Sequence, residues 1–223
     1  MSSTDIKYNK LVNEILDNGW TPPKEFTRAK YIDGSVATAK QISNHQLKFN
    51  SATEIPLLTT KRVPLLDPYR ELRWIWQKMS NNVQELRDMG CNVWNEWELK
   101  DGSIGKAYGW QLKNKYKEVI VDELLINMTR NGELYASSKF TEDDFKIMTD
   151  NVGEKVLLNQ VDYLLYILKK NPYSRQIKTT LWCVEDLDEM ALPPCVYETH
   201  WFMHKDKLNL TVNIRSNDIA LID

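Results

Sequence analysis

KLNLTVNIRS, residues 207–216, alternates apolar and polar side chains without a break. Leu208, Leu210, Val212 and Ile214 fall on one side of an extended chain, and Asn209, Thr211, Asn213 and Arg215 on the other. A period of two marks a β-strand with two chemically distinct faces. IKTTLW (177–182) and VYETHWFMH (196–204) read the same way, so the last third of the chain is expected to be sheet. Helical patterns precede it. DIKYNKLVNEILDNGW (5–20) places Ile6, Leu11, Ile15 and Leu16 near one helix face, with Asn18-Gly19 closing it. LDPYRELRWIWQKMS (66–80) starts like a helix, with Asp67 as N-cap and Pro68 at the first position, where its missing N–H costs nothing. NQVDYLLYILKKN (159–171) is amphipathic and stops at Pro172. Between the first two helices, VATAKQISNHQLKFN (36–50) alternates around Ile42, Leu47 and Phe49 and suggests sheet, while EIPLLTTKR (54–62) reads as a short buried strand ending in a basic pair.

These patterns predict a mixed α/β (α+β) fold, helices packed on a largely β sheet. With 223 residues, 42% of them apolar, the chain has enough hydrophobic material for one domain over 1–223. The charge-rich segment 113–156, with an N-cap-like Thr141 before EDDFKIM, reads as a helical insertion or lid within it. Basic and acidic side chains nearly balance, 29 against 31, so no general nucleic-acid or membrane-surface footprint is expected. No apolar run approaches bilayer-spanning length and the first twenty residues lack a signal-peptide layout, which predicts a cytoplasmic protein. Three cysteines, Cys91, Cys183 and Cys195, are widely spaced and read as reduced thiols.

Some residues carry chemistry by their setting. In MALPPCVYE (190–198), Cys195 follows two prolines at the mouth of a strand, a stiff corner that would hold a thiol in place. Small core filling is the bland reading of such a cysteine, and a nearby arginine that favours the thiolate is the functional one. Arg28, Arg175 and Arg215 each stand at a loop or element end. Together they could form a phosphate cradle, because a guanidinium offers a rigid fork to an anion. Glu71 lies in the first turn of its helix, where an acid complements the dipole. Trp74, Trp76, Trp94, Trp97 and Trp110 cluster in one third of the chain, as core or as a flat wall for an aromatic ligand. His200 and His204 have metal-pair spacing for a helix, but on a strand they stand about 13 Å apart, so no metal is expected there.

IPLLTTKR, ELRWIWQ, VWNEW, GKAYGWQL, NPYSRQ, DEMALPPCVYE and RSNDIAL occur in this order along the chain. In that order and spacing they resemble thymidylate synthase over residues 5–221, the pyrimidine hydroxymethylases being the nearest alternative. The resemblance implies a homodimeric enzyme that methylates dUMP to dTMP, with 5,10-methylenetetrahydrofolate giving both the one-carbon unit and the hydride. Cys195 would be the nucleophile that adds to carbon six of the pyrimidine, making the adjacent carbon nucleophilic in turn. Arg215 would touch phosphate and thiolate, and Arg28 and Ser216 would bind the phosphate. Arg175 would reach the partner's phosphate. Glu71 would manage water and protons. Tyr108 would help remove the ring proton. Trp94 and Trp97 would face the folate, Asp218 would bind the pterin, and Lys61 with Arg62 would lie near the folate's glutamate tail and the phosphate loop.

The chain also departs from that pattern. Gln176 stands where a second phosphate arginine is usual, Asn95 where an aspartate is, and Val196 where many members have histidine. After RSNDIAL the family continues into Gly-x-Pro-Phe-Asn, a buried helix and a closing C-terminal segment, which Ile222 and Asp223 do not match. The expectation is a C-terminally truncated fold from a gene interrupted by an intron, a frameshift or a split into two polypeptides, a separate C-terminal fragment being one source of the remainder, with an inactive remnant that only dimerises or binds nucleotide as the competing reading.

Overall fold

The computed structural model describes residues 2–27, 29–135 and 152–219. They fall into two compact units, one of described residues up to 65 with 218 and 219, the other of described residues between 66 and 217.

The first unit is organised by a buried carboxylate. Helix α1, Ser3–Asn18, opens with a capping box in which Ser2 Oγ accepts from the Asp5 amide at 3.1 Å and Asp5 Oδ2 accepts from the Ser2 amide at 2.7 Å. Asp5 is buried and also accepts from the Thr59 amide at 2.8 Å and the Thr59 hydroxyl at 2.5 Å. The Thr59 hydroxyl first, and these amides with it, hold its carboxyl well below the usual aspartate range. Two expected strands are absent among the described residues. Residues 54–62 form no strand, because the Thr59 donors go to a side chain instead of a ladder. Residues 36–50 form only isolated bridges, Val36 with Lys30 and Gln41 with Trp20. On α1, Leu11 is buried, but Ile6 and Leu16 are exposed, since the inward face belongs to Thr4 and Asp5.

The second unit begins with α2, Leu66–Leu72, which runs into a π-helical turn, Arg73–Gln77. Asp67 is therefore not the N-cap. It lies inside the helix, one residue past its start, and pairs with Arg70 at 3.3 Å. Helix α3, Val83–Asp88, is capped by Asn82. Helix α4, Gly109–Asn114, leads into strand β1, Tyr116–Ile120, and helix α5, Glu123–Arg130. Strand β2, Lys155–Asn159, helix α6, Gln160–Lys170, and strand β3, Lys178–Thr180, follow. Strands β4, Val196–His204, and β5, Lys207–Ile214, complete it. The segment read as a helical insertion thus contains a strand as well as a helix, β1 pairing antiparallel with β2. Thr141 and EDDFKIM lie outside the described residues.

Two cores result. Trp74, Met79, Leu86, Trp94, Ile104, Tyr108, Leu112 and Leu181 share one, while Val121, Leu125, Met128, Leu158 and Tyr166 share the other, under β1, β2, α5 and α6. Strands β3, β4 and β5 make an antiparallel sheet of three in that order. The alternation of β5 is as read, but its apolar side is open: Leu208, Leu210, Val212 and Ile214 are 41–46% exposed. No helix among the described residues is long and apolar enough to cross a membrane.

The entry to α4 admits no side chain at residue 109. A Cβ on Gly109 would lie 2.2 Å from the Ser80 carbonyl oxygen, so backbone would have to move. Gly109→Ala should destabilise the protein by about 1–3 kcal/mol, the usual cost of overpacking, as read by urea unfolding.

Candidate active site

The site lies wholly within the second unit and is assembled from three of its segments. The first is the proline corner. Pro193 and Pro194 lack N–H donors but leave two carbonyls, and the Arg215 side chain takes both, Nη2 donating to Pro193 O at 2.7 Å and Nε to Pro194 O at 2.9 Å. The Arg215 amide also donates to the Cys195 carbonyl at 2.9 Å. The residue that follows β5 therefore clamps the corner that precedes β4. The guanidinium lies 5.7 Å from the Trp182 ring centroid, a cation–π distance.

The second segment carries Tyr108, the residue before α4. Its φ of +45° is unusual for a tyrosine and turns the phenol back towards the proline corner. There the hydroxyl oxygen accepts the Cys195 amide hydrogen at 3.0 Å. Burial pushes the Tyr108 phenol up to about 12, against the opposing pull of that amide. It therefore stays protonated at neutral pH and can donate as well as accept.

The third segment is α2 with the turn at 93–97. Glu71 Oε1 accepts from the Trp94 indole at 2.6 Å. Burial raises the Glu71 carboxyl above its ordinary range, and the indole bond opposes this only in part. Trp94 packs edge-on against Tyr108, with ring centroids 5.2 Å apart, and lies 6.3 Å from Trp74. Burial likewise raises the thiol of Cys91.

These groups enclose a cavity of about 260 Å³ lined by Glu71, Val93, Trp94, Trp97, Tyr108, Leu192 and Cys195. A thiol, a phenol and a carboxyl thus converge between two indoles, a setting for nucleophilic addition to a flat ring with proton transfer at hand. A larger cleft of about 630 Å³, among Gln77–Asn82, Glu85, Trp110, Lys113, Asn114 and Tyr135, has no cysteine in its wall.

Of the residues singled out from the sequence, Cys195, Glu71, Tyr108, Trp94 and Trp97 line one cavity. Arg215 stands directly behind Cys195, and Ser216 follows it, exposed. Arg175 is exposed on the turn after α6 and is not among the lining residues. Lys61 and Asp218 belong to the first unit, and Arg28 lies outside the described residues. Val93 and Leu192 were not anticipated. Their only signal is proximity in sequence to Trp94 and Cys195. Trp74, from the same tryptophan cluster, is fully buried core.

The family profile described as thymidylate synthase matches residues 6–222. Among individual relatives, thymidylate synthase from Bacillus licheniformis is 40% identical over 222 residues, 99% of this chain and 67% of the relative. The enzyme of that name from Bacillus phage phi3T is equally similar, at 40% over 222 residues with the same coverage. The solved structure of thermostable thymidylate synthase A from Bacillus subtilis superposes with a TM-score of 0.77 at 38% identity, covering 98% of this chain and 66% of that one. The chain thus spans about two thirds of the length of the relatives it matches.

The buried carboxyl makes a directional forecast. Because the folded state raises the Glu71 pKa, it binds that proton more tightly than the unfolded chain. Stability attributable to this group is then fully present below the ordinary glutamate range and is lost as pH rises through the raised folded value. Glu71→Gln, which keeps an acceptor for Trp94, should melt at the same temperature as the parent in acid and above it at neutral pH. Calorimetric melts across pH check this.

Proposed function

We propose a reductive methylation of dUMP to dTMP for this chain, which belongs to the thymidylate synthase family. The observation that carries the reading is the contact of the Cys195 amide with the Tyr108 hydroxyl in a cavity walled by indoles and a carboxyl. Cys195 is the nucleophile: its sulfur adds to carbon six of the pyrimidine, and the neighbouring carbon becomes electron-rich. Tyr108, protonated at neutral pH, serves that carbon's proton as a hydrogen-bonding relay instead of as a free phenolate. Glu71, whose carboxyl burial raises above the ordinary glutamate range, is the acid/base group of the cavity. Arg215 is fixed on the proline corner by the two proline carbonyls, and its remaining N–H groups are available to a phosphate.

The co-substrate 5,10-methylenetetrahydrofolate fits the flat aromatic lining. Trp94 and Trp97 would hold it, and when bound it supplies the one-carbon unit and the hydride. Arg28 and Ser216 are assigned to the phosphate, and Asp218 and Lys61 to the folate. Arg175, exposed on its turn, is assigned to the partner's phosphate in a homodimer. We take 1–223 as one functional domain, since the family match runs unbroken through both compact units. The open apolar side of β5 calls for a cover, from further chain, a separate C-terminal fragment or a second copy. The enzyme is assigned to the cytoplasm.

Release of tritium from 5-tritiated dUMP, dependent on methylenetetrahydrofolate, tests the reading. Cys195→Ala should abolish release by roughly 10⁴-fold or more, as loss of a nucleophile does. Tyr108→Phe should lower it by about 10²–10⁴-fold, the usual weight of a proton-transfer group. A folded wild-type protein that releases no tritium would overturn the proposal, and a hydroxymethylated product would reassign the chain to the hydroxymethylases.

A further inference from the structure

We infer that Asp186, acting through Gln111, is a positioning residue that holds the Tyr108 hydroxyl against Cys195. The inference rests on the reading of Cys195 and Tyr108 given above.

Two segments meet at the cavity, residues 105–111 carrying Tyr108 and residues 184–195 carrying Cys195. They are tied at several levels. The Lys106 amide donates to the Glu189 carbonyl at 2.9 Å, the Ala191 amide to the Ile104 carbonyl at 3.1 Å, and Lys106 Nζ to Glu189 Oε1 at 2.6 Å. A Cβ on Gly105 would lie 2.0 Å from the Glu189 carbonyl oxygen, so the two backbones are in direct contact. The last tie is the Cys195 amide on the Tyr108 hydroxyl at 3.0 Å.

Gln111 closes the loop that bears Tyr108. Its side-chain amide nitrogen donates to the Lys106 carbonyl at 2.8 Å and to Asp186 Oδ2 at 2.9 Å, which accounts for both of its hydrogens. The two ends of the turn with Tyr108 at its apex are thereby held together, and the turn is held to the segment that leads to Cys195. Tyr108 is at φ +45°, a conformation that persists only when its surroundings enforce it. Gln111 is 1% exposed and Asp186 is 4% exposed. Asp186 is also paired with Lys115 Nζ at 2.7 Å and Lys106 Nζ at 3.4 Å, so it remains a charged and oriented acceptor. Neither Asp186 nor Gln111 lines the cavity, so any effect on the reaction must pass through other residues, and the Tyr108 turn is the one that Gln111 closes.

A double-mutant cycle separates positioning from general support. Gln111→Met removes the amide and keeps the volume and the Asp186 ion pairs. It should lower the tritium-release kcat by about 10–100-fold, the cost of a misplaced catalytic group, with KM for dUMP within about twofold. In a Tyr108→Phe background the same change should cost less than about twofold, since nothing is left to position. Asp186→Asn, whose amide oxygen still accepts from Gln111, should lose less than Asp186→Ala. An equal loss from Gln111→Met in both backgrounds would overturn the inference. A second readout works without turnover: the rate of iodoacetamide alkylation of Cys195, followed by peptide mass mapping on variants with parental circular dichroism. Gln111→Met and Tyr108→Phe should change that rate by the same factor, and the double variant by no more than either. An unchanged rate in Gln111→Met would overturn the positioning role even if the wild type released no tritium.

Discussion

The hydrogen bond from the Cys195 amide to the Tyr108 hydroxyl is the point on which the second unit converges. One end depends on a corner that the prolines stiffen and Arg215 clamps through their carbonyls. The other depends on a tyrosine in a left-handed conformation, set between the tight Gly109–Ser80 approach and the Gln111 side chain. Much of the first core serves this junction. Trp74, Trp94 and Tyr108 pack in sequence from the fully buried interior to the cavity wall, so the site stands directly on this core.

The same packing sets the charges. Burial raises both the Glu71 carboxyl and the Tyr108 phenol, two groups that share the cavity wall with a thiol. Trp94 gives Glu71 its hydrogen bond while presenting an aromatic surface to the cavity, so one indole both orients an acid and shapes the wall. Arg215 brings a positive charge to the proline corner, and because carbonyls and not carboxylates hold it, that charge is not neutralised at its anchor.

The sequence was most informative where one period dominated. The alternation in 196–214 and the amphipathic 160–170 both mark elements that the structure contains. Cys195, Glu71, Tyr108, Trp94 and Trp97 were singled out through the motifs around them, and they line one cavity. Residues 54–62 were not legible, because Asp5 takes the Thr59 donors that a strand would have placed in a ladder, and side-chain competition of that kind leaves no periodic trace. The carbonyl clamp of Arg215 was hidden for a different reason: prolines announce the donors they lack, not the acceptors they retain. Asp186 and Gln111 look like ordinary polar residues until the fold buries them side by side.

Intact mass after incubation with 5-fluoro-dUMP and methylenetetrahydrofolate tests most directly whether Cys195 in this cavity is the nucleophile of a pyrimidine-methylating enzyme. A single stable adduct containing both small molecules, mapped to Cys195 and absent from the Cys195→Ala variant, is the predicted result. An unmodified mass for a well-folded protein, or an adduct on Cys91 or Cys183 instead, would contradict it.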